Sequence, residues 1–358
     1  MKKLLLTLVV LGVLGAAAVG WLAFLPNTTG DEPAGIRLPS DVTFADMLDS
    51  LDAAGALGSR TSLELFGQAT GWDQQVKTGY YEIEPGTNNW TLMNKIRKGL
   101  QDDFRITIPG GLTTERIGRV LERQLGTDSA AVVQALRDPA FAEELGTDTA
   151  HLFGRMRANT YDIRWTDDPR RAIERLEAKA DEFWTDDRLA QAEALGLSRD
   201  EVVTMASIVQ WEAQKPEERA TIAGVYLNRL LGRTSSGTMR LQADPTVQYA
   251  LMQTDGGPMR RLLFRDYAFA HPYNTYQIDG LPPGPINNPS DAAIEAVLSG
   301  GEGDYLYFVA DGTGGHDFSR TIAEHNRKAA RWSRWLSEQI RIRDAREAAG
   351  ETAGETAP

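Results

Sequence analysis

TMASIVQWEAQK, residues 204–215, is the stretch from which the rest of the chain is read. Met205, Ile208 and Val209 recur at helical spacing. Glu212 follows Val209 by three residues and Ile208 by four, so it falls on the same face. A lone carboxylate among apolar side chains is costly. The pattern therefore predicts either a compensated buried charge or a carboxyl whose raised proton affinity is put to use. Trp211 is adjacent in sequence but points elsewhere on the helix.

Working upstream, Ser198 and Glu201 have the spacing of a capping box, so this helix starts just after Ser198. DDPRRAIERLEAKADEFW, residues 167–184, is a solvated helix with Ile173, Leu176 and Phe183 on one face. Residues 112–200 read as mostly helical. Three strand–turn–helix units come before that. They start at Ile36, Gly79 and Phe104, with Pro39, Pro85 and Pro109 at equivalent turns. Met47, Met93 and Ile117 each sit eight residues after the proline, on the expected core face, and Thr87 and Thr113 are candidate helix N-caps. Small units of this kind either bind polymers or serve only as packing modules.

Leu4 to Pro26 is an uncharged, largely apolar run behind Lys2 and Lys3, with Trp21 near its far end. That is about the length needed to span a bilayer, and the lysines favour an inside N-terminus. The competing reading is a cleaved signal peptide, helped by the small residues GAAAVG at 15–20. Both readings export the rest of the chain. NTTGDEPAG, residues 27–35, reads as a polar linker.

Downstream, TIAGVYLNRLL (221–231) is another helix. Three segments rich in Pro, Gly, Asn and Tyr come after it, of the kind that line a cleft: MRLQADPTVQYAL (239–251), HPYNTYQIDGLPPGPINNPS (271–290) and DYLYFVADGTGGHDF (304–318). Within the last, DYLYFVAD reads as a strand. A long helix runs from Thr321, and residues 346–358 form a polar tail without core-forming residues.

The chain has 358 residues, no cysteine and a net charge of −12. Disulfides and thiolate metal sites are excluded, and the acidic balance argues against nucleic acid as a partner. His271, His316 and His325 match no helical metal-ligand spacing, so no metal and no cofactor are expected, and His316 and His325 are assigned to hydrogen bonds within loops. Ser207 lies inside a helix rather than in a nucleophile elbow. A pair of carboxylates is the more serious arrangement. Glu212 as acid would need a second carboxylate across the sugar, and Asp244 is the natural choice. Asp244 also reads simply as a helix N-cap before Pro245. Glu212, for its part, has the bland alternative of a carboxylate held by an Arg or by Tyr hydroxyls.

Five ordered motifs carry a resemblance: ASIVQWEAQKPEERATIAGVYLNRL, MRLQADPTVQYAL, PYNTYQIDGLPPGPINNPS, LYFVADGTGGHDFS and HNRKAARW. Together they closely resemble the MltG/YceG-like endolytic murein transglycosylases. The resemblance implies an α+β chain with a transmembrane anchor (1–26), a linker (27–35), a LysM-like βα region (36–126), a mixed α/β catalytic domain (127–345) and a disordered tail (346–358). It also implies single-pass placement in the cytoplasmic membrane with the C-terminal domain outside the cytoplasm. The implied reaction is cleavage of the β-1,4 bond between N-acetylmuramic acid and N-acetylglucosamine in peptidoglycan, leaving 1,6-anhydro ends. Glu212 matches the family's catalytic acid. Gln242, Asn274 and Tyr276 match motif positions suited to sugar hydroxyls or acetamido groups. Tyr273 and Tyr276 suit stacking on pyranose rings, and Asp244 suits orienting the loop. Nascent glycan strands are the implied partner, with peptidoglycan synthases as neighbours. A hydrolase using Glu212 with Asp244, and a glycan-binding scaffold without activity, are the competing classes. Two departures stand out. Gln210 occupies a position that is acidic in the family pattern. LFGRMRANTYDI, residues 152–163, lacks the Glu and the Pro-Asp of the corresponding family segment.

Overall fold

The computed structural model describes residues 20–257 and 259–348. Most of the membrane span expected over residues 1–26 lies outside these, as do residues 349–358 of the expected tail. Among the described residues, no helix is long and apolar enough to cross a membrane. The chain forms two compact units.

The first unit holds the described residues up to Ile106, together with Gln124–Thr127 and Thr160–Ala172. Strand β1 (Ala34–Leu38) pairs antiparallel with β2 (Gly79–Ile83), Leu38 opposite Gly79 and Ala34 opposite Ile83. On β1, Ile36 and Leu38 turn into the core, and on β2 Tyr81 and Ile83 do, giving the period-two alternation of a half-buried sheet. Helices α1 (Phe44–Ala53), α2 (Arg60–Thr70) and α3 (Asn89–Arg97) cover that face. Met47 and Met93 are fully buried, at the positions that the repeat predicts. Two local readings change. The N-cap of α3 is Asn88, whose side chain accepts from the Thr91 N–H at 2.8 Å, whereas the Thr87 hydroxyl turns back to the Glu84 carbonyl. The supposed linker begins inside the fold. Asn27 donates to Asn89 Oδ1 at 2.7 Å and Thr28 to the Glu84 carbonyl at 2.7 Å, both side chains buried. Short polar residues read as linker when their partners lie some 60 positions away in sequence.

Strand β3 (Phe104–Ile108) pairs with β4 (Asn159–Ile163). The second unit then takes Thr107–Arg123, Asp128–Asn159 and the chain from Ile173 on. It is helical: α4 (Thr114–Leu125), α5 (Ser129–Leu136), α6 (Pro139–Glu144), α7 (Pro169–Asp181), α8 (Asp186–Leu195), α9 (Arg199–Glu212), α10 (Arg219–Leu231), α11 (Asp244–Asp255), α12 (Asp291–Leu298) and α13 (Ile322–Ala348). Its one hairpin among the described residues pairs β5 (Tyr307–Ala310) with β6 (His316–Ser319) antiparallel. The strand expected in DYLYFVAD is present, but the mixed α/β catalytic domain is mostly helical. Its strand-forming runs are too short and too few for a larger sheet.

Helix α9 is the axis of the second core. The capping box expected at Ser198 and Glu201 is formed, and every residue from Val202 to Val209 is buried. A helix apolar all round has to be central, and α10 and α12 pack on it. The segment 286–290 straps its middle. Ile286 N–H donates to Ser207 Oγ at 3.0 Å and Asn287 Nδ2 to the Ser207 carbonyl at 2.7 Å. Asn288 holds the Pro109 and Met156 carbonyls at 2.9 and 2.7 Å. Ser207 is thus spoken for as a structural hydroxyl.

Candidate active site

Glu212 is the last residue of α9. The next residue, Ala213, leaves the helix in an extended conformation, so the carboxyl stands where the central helix runs out into a cavity. It is half-buried rather than sealed in the core. Two cavities of about 670 and 540 Å³ share Glu212, Asp244, Ala310 and His316 in their walls. The larger continues past Trp211, Gln248 and Trp332, the smaller past Tyr226, Arg229 and Tyr276.

The carboxyl has sparse compensation. The Tyr226 hydroxyl, from α10, donates to Glu212 Oε2 at 3.3 Å. The Arg229 guanidinium, one turn further along α10, is buried, but it donates to the carbonyls of Leu306, at 2.7 Å, and Leu241. Burial first, and then the negative charge of Asp244, push the Glu212 carboxyl up to about 7, against the smaller opposing pulls of Tyr226 and Arg229. A carboxyl of that kind is protonated in a substantial fraction of molecules near neutrality and can both give and take a proton.

Asp244 sits across the shared wall, in the first turn of α11. The N-cap position belongs to Ala243 rather than to Asp244. This frees the Asp244 carboxylate, which accepts from the Tyr276 hydroxyl at 2.7 Å and the Tyr267 hydroxyl at 3.3 Å. Burial followed by Asp244 raises both phenols, Tyr267 to about 12, so they remain neutral donors. Gln242 is exposed at the rim with φ 51°, a left-handed conformation rare for a residue with a side chain.

Two residues expected at the substrate are not among those lining either cavity. Asn274 is fully buried. Its amide donates to the Phe269 carbonyl at 2.7 Å and the Tyr267 carbonyl at 3.2 Å, and its Oδ1 accepts from Tyr276 N–H at 3.0 Å. It holds the loop that carries Tyr276. Tyr273 packs its ring on Tyr249, 4.8 Å between centroids, at the edge of the core. Tyr226, Arg229, Tyr267 and His316 line the cavities without having been singled out for that role. An arginine inside the apolar helix pattern 221–231 was the one legible signal among them.

The histidines lie apart, His316 and His271 each with a hydrogen-bond partner and His325 with a ring contact to Tyr307. His316 lies on β6 rather than in a loop, its Nδ1 2.7 Å from Glu218 Oε2. His271 Nδ1 accepts from Tyr273 N–H, and His325 lies on α13. Among the described residues no cluster of metal-ligating side chains occurs.

Of the two departures from the family pattern, Gln210 lines the larger cavity beside Glu212 and also makes a structural tie, whereas the segment 152–163 is structural. Gln210 Oε1 accepts from Ser290 N–H at 3.1 Å and Ser290 Oγ at 2.7 Å, tying the end of α9 to the start of α12. Two donors need only an acceptor oxygen, which an amide supplies as well as a carboxylate. In the segment 152–163, Arg155 is bound by Glu177 and Asp200 and Arg157 by Asp291. None of its residues lines either cavity.

Comparison with known sequences and structures adds an independent line. The profile of the YceG-like family matches residues 36–331. An endolytic murein transglycosylase of Bacillus subtilis is 27% identical over 307 residues, covering 82% of each chain. The Streptococcus pneumoniae protein of the same name is 27% identical over 285 residues, 70% of this chain and 51% of its own length. A crystal structure of a yceG-like protein from Listeria monocytogenes superposes with a TM-score of 0.57 at 27% identity, covering 83% of this chain and 99% of that one.

Proposed function

Because the chain belongs to the YceG-like family, we propose that it is an endolytic peptidoglycan lytic transglycosylase with Glu212 as its acid and base. The carrying observation is a single carboxyl at the end of a buried helix, facing a cavity, with its proton affinity raised to about 7. Protonated Glu212 gives its proton to the glycosidic oxygen as the bond from muramic C1 to that oxygen breaks. The muramic C6 hydroxyl attacks C1, and the Glu212 carboxylate takes the proton this hydroxyl releases. The nucleophile belongs to the substrate, so one carboxyl completes the cycle and no second one is required. Burial, with help from the charge of Asp244, favours a proton on Glu212, and Asp244 orders Tyr267 and Tyr276. Gln242 and Tyr276 face the sugar, while Asn274 and Tyr273 shape the loop behind them.

The uncharged run from Leu4, up to where Leu22 joins the folded unit, anchors the protein in the cytoplasmic membrane with the catalytic unit outside the cytoplasm, which favours newly made strands beside their synthases. The test is mass spectrometry of glycan released from purified peptidoglycan by the wild type and by Glu212→Gln. Internal fragments with anhydro ends from the wild type alone are the expected result. Reducing ends would replace this reading with hydrolysis using Asp244. Binding without turnover in the wild type would leave a glycan-binding scaffold.

A further inference from the structure

The chain enters the first unit through residues that face two ways. Ala23 is 3% exposed in that unit's core, and the Leu22 carbonyl accepts from Asn89 Nδ2 at 2.8 Å. Pro26 bridges to Asn88, and Asn27 bonds Asn89. The entry is therefore clamped into the fold rather than tethered to it. Just before and between these fixed points, Trp21, Phe24 and Leu25 turn outward, 67, 63 and 44% exposed.

The folded unit continues the same surface. Phe24 stacks on Trp90 of α3, 6.0 Å between centroids, and Trp90 leans on Trp72 at 4.8 Å. The Arg97 guanidinium lies over Trp72 at 4.1 Å. Trp90 remains 42% exposed. Large aromatic side chains left in water need a reason, and three rings in sequence ending on a cation form one contiguous feature.

We propose that this face of the first unit rests on the bilayer, with the boundary between lipid headgroups and acyl chains covering Trp21, Phe24 and Trp90. The inference depends on the anchor reading of the run from Leu4 and on no claim about catalysis. Two features favour lipid over sugar. Trp21, Phe24 and Leu25 are the last large side chains of the uncharged run from Leu4, and Phe24 hands that surface on to Trp90, so a bilayer holding the run lies against this face. Aromatic rings beside an arginine suit the headgroup level, where a ring's apolar face is buried and a guanidinium meets phosphate. A glycan platform also needs polar groups beside the rings. Several amides close by in sequence are already engaged: Asn27 and Asn89 bond Ser59, Ser62, Leu22 and each other, the oxygens of Asn88 and Asn94 accept from Thr91 N–H and Arg97, and Gln75 Nε2 donates to the Gly71 carbonyl.

The absence of cysteine makes a direct test available. Full-length protein in vesicles of phosphatidylcholine and phosphatidylglycerol would carry one nitroxide at a time, on Trp90→Cys, Leu11→Cys or Leu189→Cys. Leu189 is an exposed position in the second unit. Collision with oxygen should exceed collision with an aqueous nickel complex at positions 11 and 90, and the order should reverse at 189. As a check that spares the fold, lipids brominated near the headgroup should quench part of the wild-type tryptophan emission, and Trp90→Phe should lose a measurable share of that quenching. A lipid signal at 11 with water at 90 would overturn the proposal and leave the anchor standing. Water at both positions would overturn both. Immobilisation of the label at 90 by soluble glycan fragments, rather than by lipid, would give the face to sugar and also overturn it.

Discussion

Glu177 and Glu212 are two carboxyls of the second unit, both held away from water and both pushed upward by burial. Each also has an aspartate whose charge acts with burial, Asp181 and Asp244. Their cations differ: Glu177 lies within 3.1 Å of the Arg155 guanidinium and 3.6 Å of Arg199, which oppose the effect of burial. Glu212 has a phenol at 3.3 Å, and its strongest charged influence is Asp244, which acts in the same direction as burial. The fold therefore offsets part of the cost of a buried carboxylate with two contacting guanidinium groups in one place, and with little more than a phenol in the other. A compensated carboxylate contributes to structure, and a sparsely compensated one keeps a proton available for chemistry.

The largest expected effect separates the two directly. Glu212→Gln should lower turnover of peptidoglycan by roughly 10²–10⁴-fold, the span of general acid–base catalysis, with no loss in thermal stability. Arg155→Met should do the reverse. With Glu177 and Asp200 deprived of their shared guanidinium, the second unit should lose about 3–5 kcal/mol of stability in chemical denaturation, while the folded fraction retains its activity. Equal activity loss in the two variants would erase the distinction.

Finer tests address the proton itself. With Glu212 titrating near 7 in the folded chain and about 4.5 unfolded, the folded state binds more protons between those values. Stability should therefore fall as pH rises from about 4.5 to 7 and then level off. Glu212→Gln should remove that slope, as read from melting temperatures across the range. Asp244→Asn deletes the charge that raises Glu212, so the alkaline limb of the activity profile should move to lower pH. Tyr226→Phe deletes a bond that lowers Glu212, so the same limb should move the opposite way, and stability should drop by only about 0.5–1.5 kcal/mol. Limbs that shift in the same direction would show that neither neighbour controls the proton.

Much of this site was legible in residues 204–215, because a helix converts spacing into direction. The face shared by Met205, Ile208, Val209 and Glu212 needed no tertiary information. What that pattern does not reveal is that α9 ends at Glu212, which turns an inward carboxyl into one that lines a cavity. Partners brought from other elements were less accessible. Tyr226 reads as one more apolar position of its helix, and His316 reaches the wall through a hairpin. Asn274 and Tyr276 are two residues apart in one polar loop, and composition treats them alike. Only the fold separates the amide that closes the loop on itself from the phenol that reaches Asp244. The same limit turned Asn27 and Thr28 into a linker.

The amide oxygen of Gln210 latches Ser290 and so fixes the strap that passes behind the wall containing Glu212. A carboxylate in this place would lose acceptor strength as the medium turned acidic. An amide does not titrate, so the fastening here is indifferent to acidity while the group two residues along responds to it. On the proposed mechanism, the scaffold and its acid–base carboxyl are thereby decoupled. In the extracytoplasmic setting proposed above, where acidity follows the surroundings, a shift in pH would retune the proposed chemistry without loosening this strap.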